Sequence, residues 1–159
     1  MHTPRRSNRI AFSWQLCAVG LMALLPGRLE AQLSLKGAVE DVLGWVELKQ
    51  ADYETIPEMG QWGMTFGWFA EGEDKELQFT ATKGKSYFIA GGGDSNSKDL
   101  DICVYDPKGT ELKCDTATDD VPLVTFDANQ SGTYRATLKA YSIEGNTTFA
   151  GMVILRKRS

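Results

Sequence analysis

The hydrophobic period of the chain changes once. From residue 33 to about 53, Leu35, Val39, Val42, Leu43 and Val46 recur at steps of three and four, with Glu40, Asp41, Glu47 and Lys49 between them. That spacing predicts an amphipathic helix. Gly37 and Gly44 weaken it, and Ile56-Pro57 ends it, because a residue before proline is pushed out of the helical region. The helix is expected to pack on an edge or open end of the domain, or to serve as a partner-binding helix. From residue 61 onward the period falls to two. Leu77, Phe79 and Ala81 alternate with Glu76, Gln78 and Thr80. Leu100, Ile102 and Val104 alternate with Asp101, Cys103 and Tyr105, and Tyr134, Ala136 and Leu138 with Thr133, Arg135, Thr137 and Lys139. Residues 62–69, 86–90, 121–126 and 147–155 add apolar strand candidates, and 110–114 returns from a turn at 106–109. Polar and glycine-rich stretches separate them, among them a flexible loop expected over residues 91–98. About eight short strands at this spacing, with no crossover helices between them, predict a mainly β fold. The expected architecture is an antiparallel jelly-roll-type β-sandwich with one N-terminal helix.

Three segments follow from this pattern. Residues 1–31 read as a secretory signal: Arg5, Arg6 and Arg9 precede an apolar run from Ile10 to Pro26, and Ala31 is the natural last residue removed. Residues 32–57 are the helical segment and 58–159 the sandwich. Gln15 interrupts the apolar run, which argues against a membrane span, and none is expected after cleavage. Loss of residues 1–31 removes four arginines and one glutamate, so the formal charge moves from −4 to −7. An acidic chain of this kind is a poor partner for nucleic acid, which is bound by neutralising phosphates. The one histidine, His2, leaves with the signal. Ser-His-Asp and Cys-His catalysis and histidine-ligated zinc leave with it. A carboxylate pair, a lysine-assisted serine or an oxygen-ligated Ca²⁺ site stays open.

Aspartates gather at 94–101, 106 and 115–120. If 99–101 opens one strand and 115–120 leaves its hairpin partner, both groups emerge at one end of the sandwich. Ca²⁺ takes about six to eight oxygen ligands, and Asp99, Asp101, Asp119 and Asp120 are the expected set. The alternative is that aspartate is simply favoured in turns, as Asp106 is at the head of its own. Cys103 and Cys114 are the only cysteines of the mature chain, and export favours a disulfide between them. If Asp106 opposes Thr110, Cys103 faces Lys113. If Pro107 opposes Thr110, the cysteines face each other. Trp62, Phe66, Trp68 and Phe69 are expected in the core, with a binding platform as the alternative. Arg156-Lys157-Arg158 is expected to be a solvated end.

The ordered set Glu71-Gly-Glu, Leu77-Gln-Phe79, Lys83-Gly-Lys-Ser-Tyr-Phe88, Asp99-Leu-Asp-Ile-Cys-Val-Tyr-Asp106, Gly109, Cys114-Asp115, Thr118-Asp-Asp-Val-Pro122, Val124-Thr-Phe126 and Ser131-Gly-Thr-Tyr-Arg135 carries a resemblance. Across residues 71–155 the chain resembles the bacterial pre-peptidase C-terminal (PPC) domain family. The resemblance implies a secreted β-sandwich, often an accessory to extracellular proteases and sometimes containing Ca²⁺. Here it is expected as a stand-alone exported form with a helix in front.

The expected function is that of an exported, non-enzymatic sandwich, periplasmic or extracellular, that binds or stabilises a partner there, either a protein or a polysaccharide. The alternative is a carbohydrate- or protein-binding module that uses Trp62 and Trp68. A small hydrolase built on an Asp/Glu pair is the weaker third reading.

Overall fold

The computed structural model describes residues 26–56 and 63–159. The expectations for residues 1–25 and for Trp62 lie outside the described residues. Within them the chain forms helix α1 (Pro26–Lys49) and nine strands. These are β1 (Tyr53–Thr55), β2 (Met64–Phe69), β3 (Asp74–Ala81), β4 (Ser86–Gly93), β5 (Ser97–Tyr105), β6 (Glu111–Asp115), β7 (Leu123–Asp127), β8 (Gly132–Ile143) and β9 (Thr148–Lys157). They build two antiparallel sheets, a β-sandwich. In the first, β9 pairs with β1 and β2 along one edge and with β4 along the other, and β7 follows β4. The second runs β3-β8-β5-β6.

The alternation in β3, β5 and β8 is the reason the sheets close on each other. Leu77, Phe79, Leu100, Ile102, Val104, Tyr134, Ala136 and Leu138 all point inward and are buried against Tyr87, Ile89, Val124, Met152 and Ile154 of the first sheet. Phe79, Tyr87, Phe126 and Tyr134 form an aromatic block in this core, with ring centroids 5.3–6.2 Å apart. The two tyrosine hydroxyls are satisfied: Tyr87 accepts from the Thr82 amide and Tyr134 donates to the Gln130 carbonyl.

Helix α1 covers the outer face of the first sheet rather than an edge or an open end. Val42 is fully buried with Phe88, Ala90, Val153 and Leu155, and Trp45, Val46 and Tyr53 pack around them. Leu35 and Leu43, which the sequence pattern places on the same stripe, are exposed. The buried line instead runs Ala38, Val42, Trp45. It is set by what the sheet offers beneath it. Residues 91–93, expected to be a flexible loop, are the last three residues of β4 and pair with Met152, Gly151 and Ala150 of β9. Their lack of side chains forms the helix seat. A Cβ on Gly92 would lie 2.6 Å from Asp41 Cβ, and Trp45 Nε1 donates to the Gly91 carbonyl at 3.1 Å.

Two further differences from the sequence reading concern the ends of the domain. The 32–57 segment is not wholly helical, since Tyr53, Glu54 and Thr55 pair with Lys157, Arg156 and Leu155. The basic 156–158 stretch is therefore tied to the first sheet, although Lys157 and Arg158 stay exposed as expected of a solvated end. Arg156 holds Glu54 through Nε at 3.0 Å and Nη2 at 2.8 Å, and Arg158 donates to the carbonyls of Gln50 and Tyr53.

Candidate binding surface

Strand β5 positions the first pair of predicted calcium ligands. Asp101 lies on the face opposite the core residues Leu100 and Ile102, two residues after Asp99. Around Asp99 the ladder slips, because Asp99 faces Ser142 while Leu100 faces Ala140, and Tyr141 is left as an extra residue on β8. The slip folds Asp99 inward. It is 7% exposed, and its Oδ1 has no hydrogen-bond partner. Asp101 faces Lys139 across the strands. Burial raises the Asp101 pKa above the ordinary carboxylate value; Asp99 and Asp115 push the same way and Lys139 opposes them.

The second pair arrives at the same end but separates there. The backbone carbonyl of Asp119 accepts from the Leu100 amide at 2.9 Å, so the 116–122 segment does return to β5. The Asp119 carboxylate is turned back on its own loop and accepts from the Val121 amide. Asp120 lies instead beside Asp41 of α1, and the two carboxylates repel each other. Among the described residues no three carboxylates bring oxygens within 4.8 Å of one another; the one such grouping of acidic or thiol groups is Cys103, Glu111 and Cys114. A four-aspartate Ca²⁺ cage therefore does not fit these residues as placed. The reason is the crossing from β6 to β7, which passes from one sheet to the other and aims successive side chains at different layers.

Cys103 and Cys114 are joined by a disulfide, with their Cα atoms 4.1 Å apart. Their sulfurs are thus not free to bind a metal with Glu111. The hairpin combines the two expected registers, the first at the turn and the second at the cysteines. Asp106 does oppose Thr110, its amide donating to the Thr110 carbonyl at 2.9 Å, and Tyr105 faces Glu111. Val104 then faces Lys113, so Leu112 is an extra, bulged residue and Cys114 returns to face Cys103. Leu112 packs on the core as it bulges. The same outer face of the second sheet is spanned by ion pairs and a stacked cation. Arg135 pairs with Glu76 at 3.3 Å and lies 4.1 Å above the Tyr105 ring.

Asp94, another member of the acidic stretch, is buried and committed to structure. It accepts from Thr148 Oγ1 at 2.6 Å, from the Phe149 amide at 3.1 Å and from the Asn96 amide at 3.0 Å, fastening the β4–β5 corner to β9.

The aromatic stretch divides between the two faces of β2. Phe69 enters the core, whereas Phe66 and Trp68 lie on the helix side. Trp68 is 44% exposed and stands edge-on to Phe149 at 5.1 Å, and Phe149 stacks with Phe66 at 6.2 Å. The core reading therefore holds for Phe69 and not for Trp68. On the same side of the molecule, α1 and the segment before β7 enclose a groove of about 480 Å³ that sequence reasoning missed. Its walls are about 75 residues apart in the chain, so no local spacing marks it. The only sign was an apolar residue at Leu48, off the helical stripe.

No family model matches the chain, and no curated protein does. Among solved structures it is similar to a periplasmic inhibitor of g-type lysozyme from Aeromonas hydrophila, at 16% identity and TM-score 0.42, over 57% of this chain and 83% of that one. It is also similar to the pre-peptidase C-terminal domain of a Bacillus anthracis collagenase, at 13% identity and TM-score 0.45, over 57% and 86%. A Streptococcus pneumoniae structure of accessory secretory proteins 1, 2 and 3 matches at 17% identity and TM-score 0.38, over 60% and 87%. Among the described residues, no helix is long and apolar enough to cross a membrane.

Proposed function

We propose that this chain is an exported, non-enzymatic β-sandwich that binds a protein partner outside the cytoplasm. One observation carries the reading. On the helix side of the first sheet, Leu48 and Val121 are exposed together in one groove, and Trp68 is exposed separately on β2 at the far edge. The second sheet carries ion pairs on its outer face, and its one large exposed apolar side chain among the described residues, Tyr141 of β8, lies under the Lys139 ammonium. Apolar side chains grouped in this way mark interaction surfaces more often than isolated ones do. The absence of histidine from the mature sequence narrows the catalytic alternatives. A photo-crosslinking residue at Trp68, in the full chain in its exporting host, is expected to give a discrete protein adduct. The same residue at Gln78 on the opposite sheet is expected to give none. Adducts from both positions alike, or turnover of a substrate lost on a single carboxylate substitution, would overturn the reading.

The polysaccharide alternative also draws on Trp68, whose exposed ring suits stacking on a sugar as well as on a peptide. Saturable binding of a soluble glycan, lost in Trp68→Ala, would favour it over a protein partner. Calcium stabilisation now rests on Asp99 and Asp101 alone, through the unpartnered Asp99 oxygen. Added Ca²⁺ is expected to raise the melting temperature, and Asp101→Ala to abolish the rise. Identical melting with Ca²⁺ and with chelator would remove the metal from the reading. The export reading predicts a mature chain beginning at Gln32, checked by mass spectrometry of the extracytoplasmic fraction.

A further inference from the structure

The groove between α1 and the segment entering β7 has a fixed apolar floor and an acidic rim. Its floor is Trp45, Leu48 and Val121. Trp45 is held from behind, by its bond to the Gly91 carbonyl and by the Phe88 ring 5.7 Å away, so the floor is rigid before anything binds. Leu48 is 67% exposed and Val121 47%, and both line the groove. Gly44 keeps the space between them open, because a Cβ there would meet nothing within 4 Å. The rim is Glu40, Asp41 and Asp120. Glu40 has a surface ion pair with Lys36 at 3.4 Å, an exposed arrangement of small energetic value. Among the described residues, Asp41 and Asp120 have no lysine or arginine nitrogen within 4.0 Å. Burial, then Asp120, then Glu40 raise the Asp41 pKa, so the rim repels itself.

We propose that this groove docks a basic peptide segment of a partner protein, one bulky apolar side chain seated on Trp45, Leu48 and Val121 between lysines or arginines that meet Asp41 and Asp120. The proposal rests on the reading of the chain as a binding protein and names the chemistry of its partner. Charge complementarity selects this occupant. A neutral apolar ligand would leave the repelling carboxylates unrelieved, and an acidic one would add to them. The groove is open to solvent along one side, which suits a side chain carried on a segment better than an enclosed small molecule. A second copy of this chain is a poorer fit, because two chains of formal charge −4 repel each other.

The test uses the full chain recovered after export and a fluorescein-labelled peptide of sequence KLKFKLK, with ELEFELE as its counterpart, at 150 mM salt to suppress loose electrostatic association. Fluorescence anisotropy is expected to show saturable binding of the basic peptide only. Gly44→Phe, whose Cβ meets nothing within 4 Å and which carries a ring into the groove, and Asp120→Lys, which reverses the rim, are each expected to weaken binding at least tenfold with no fall in melting temperature. Equal binding to wild type and both variants, equal binding of the acidic peptide, or no binding of the basic one would overturn the proposal. So would a concentration-dependent dimer abolished by Gly44→Phe, which would make a second copy the occupant. Failure here is separable from failure of the broader reading, because the Trp68 crosslink reports on a different part of the surface.

Discussion

The carboxylates of this domain are set to opposite tasks by their surroundings. Asp106 accepts from the amides of Lys108 and Thr110, both at 2.8 Å, and the Thr110 bond is the main cause of its lowered pKa. Its unfolded value lies near 3.8. The stability it contributes is therefore complete above that value and lost as pH falls through and below it. Asp101 and Asp41 run the other way. Burial raises both, so the folded state holds their protons more firmly, and the fold loses stability as pH rises from 3.8 through their raised values. Asp101→Asn in metal-free buffer is expected to raise the melting temperature at pH 7 and to leave it nearly unchanged at pH 3. A lower melting temperature at pH 7 would instead mean that the ionised group is held by its partners. Glycine positions offer a second contrast. A Cβ on Gly151 would lie 2.3 Å from Phe66 Cδ1 and 2.7 Å from the Thr65 carbonyl oxygen. Gly151→Ala is expected to cost about 1–3 kcal/mol in denaturant unfolding. Gly44→Ala, in open space on a helix, is expected to stabilise by about 0.5–1 kcal/mol.

At the level of single elements, legibility in the sequence followed solvent. Strands β3, β5 and β8 each keep one face wet, so their inward residues could be read directly from Leu77, Phe79, Ile102 and Leu138. Strands β4 and β9 are buried on both faces, by the opposite sheet and by α1. Their alternation is erased, and the glycines of β4 imitate a loop although they are a helix seat. The hairpin β5–β6 shows a different obstacle. Its turn was readable from Asp106, Pro107 and Gly109, but the cysteine pairing depends on Leu112 stepping out of the ladder, which no turn signal encodes. The Cys103–Cys114 bridge closes a short loop. Replacing both cysteines by serine is expected to cost about 2–3 kcal/mol, read as a lower denaturant midpoint. An unchanged midpoint would mean that the β5–β6 ladder alone holds the hairpin.

Across the whole molecule, sites depend on elements that only the fold brings together. The sequence placed Asp99, Asp101 and Asp119 at one end correctly in the backbone sense, since Asp119 does bond β5. It could not reveal that Asp120 would turn to Asp41, because that proximity requires a helix lying over the first sheet. The groove had the same origin and was equally hidden. The central long-range partner in the first sheet is β9. It pairs with β1, β2 and β4, and it joins Arg156 to Glu54, 102 positions away. This has a consequence in time. While the chain is being made, β1, β2 and β4 have no central strand to meet until residues 148–157 emerge, and α1 has no completed sheet to lie on. Contacts this distant in sequence make folding slow. On the proposed export of this chain that delay is useful, because a chain that stays open until residues 148–157 appear is still one that can be threaded through a translocation channel.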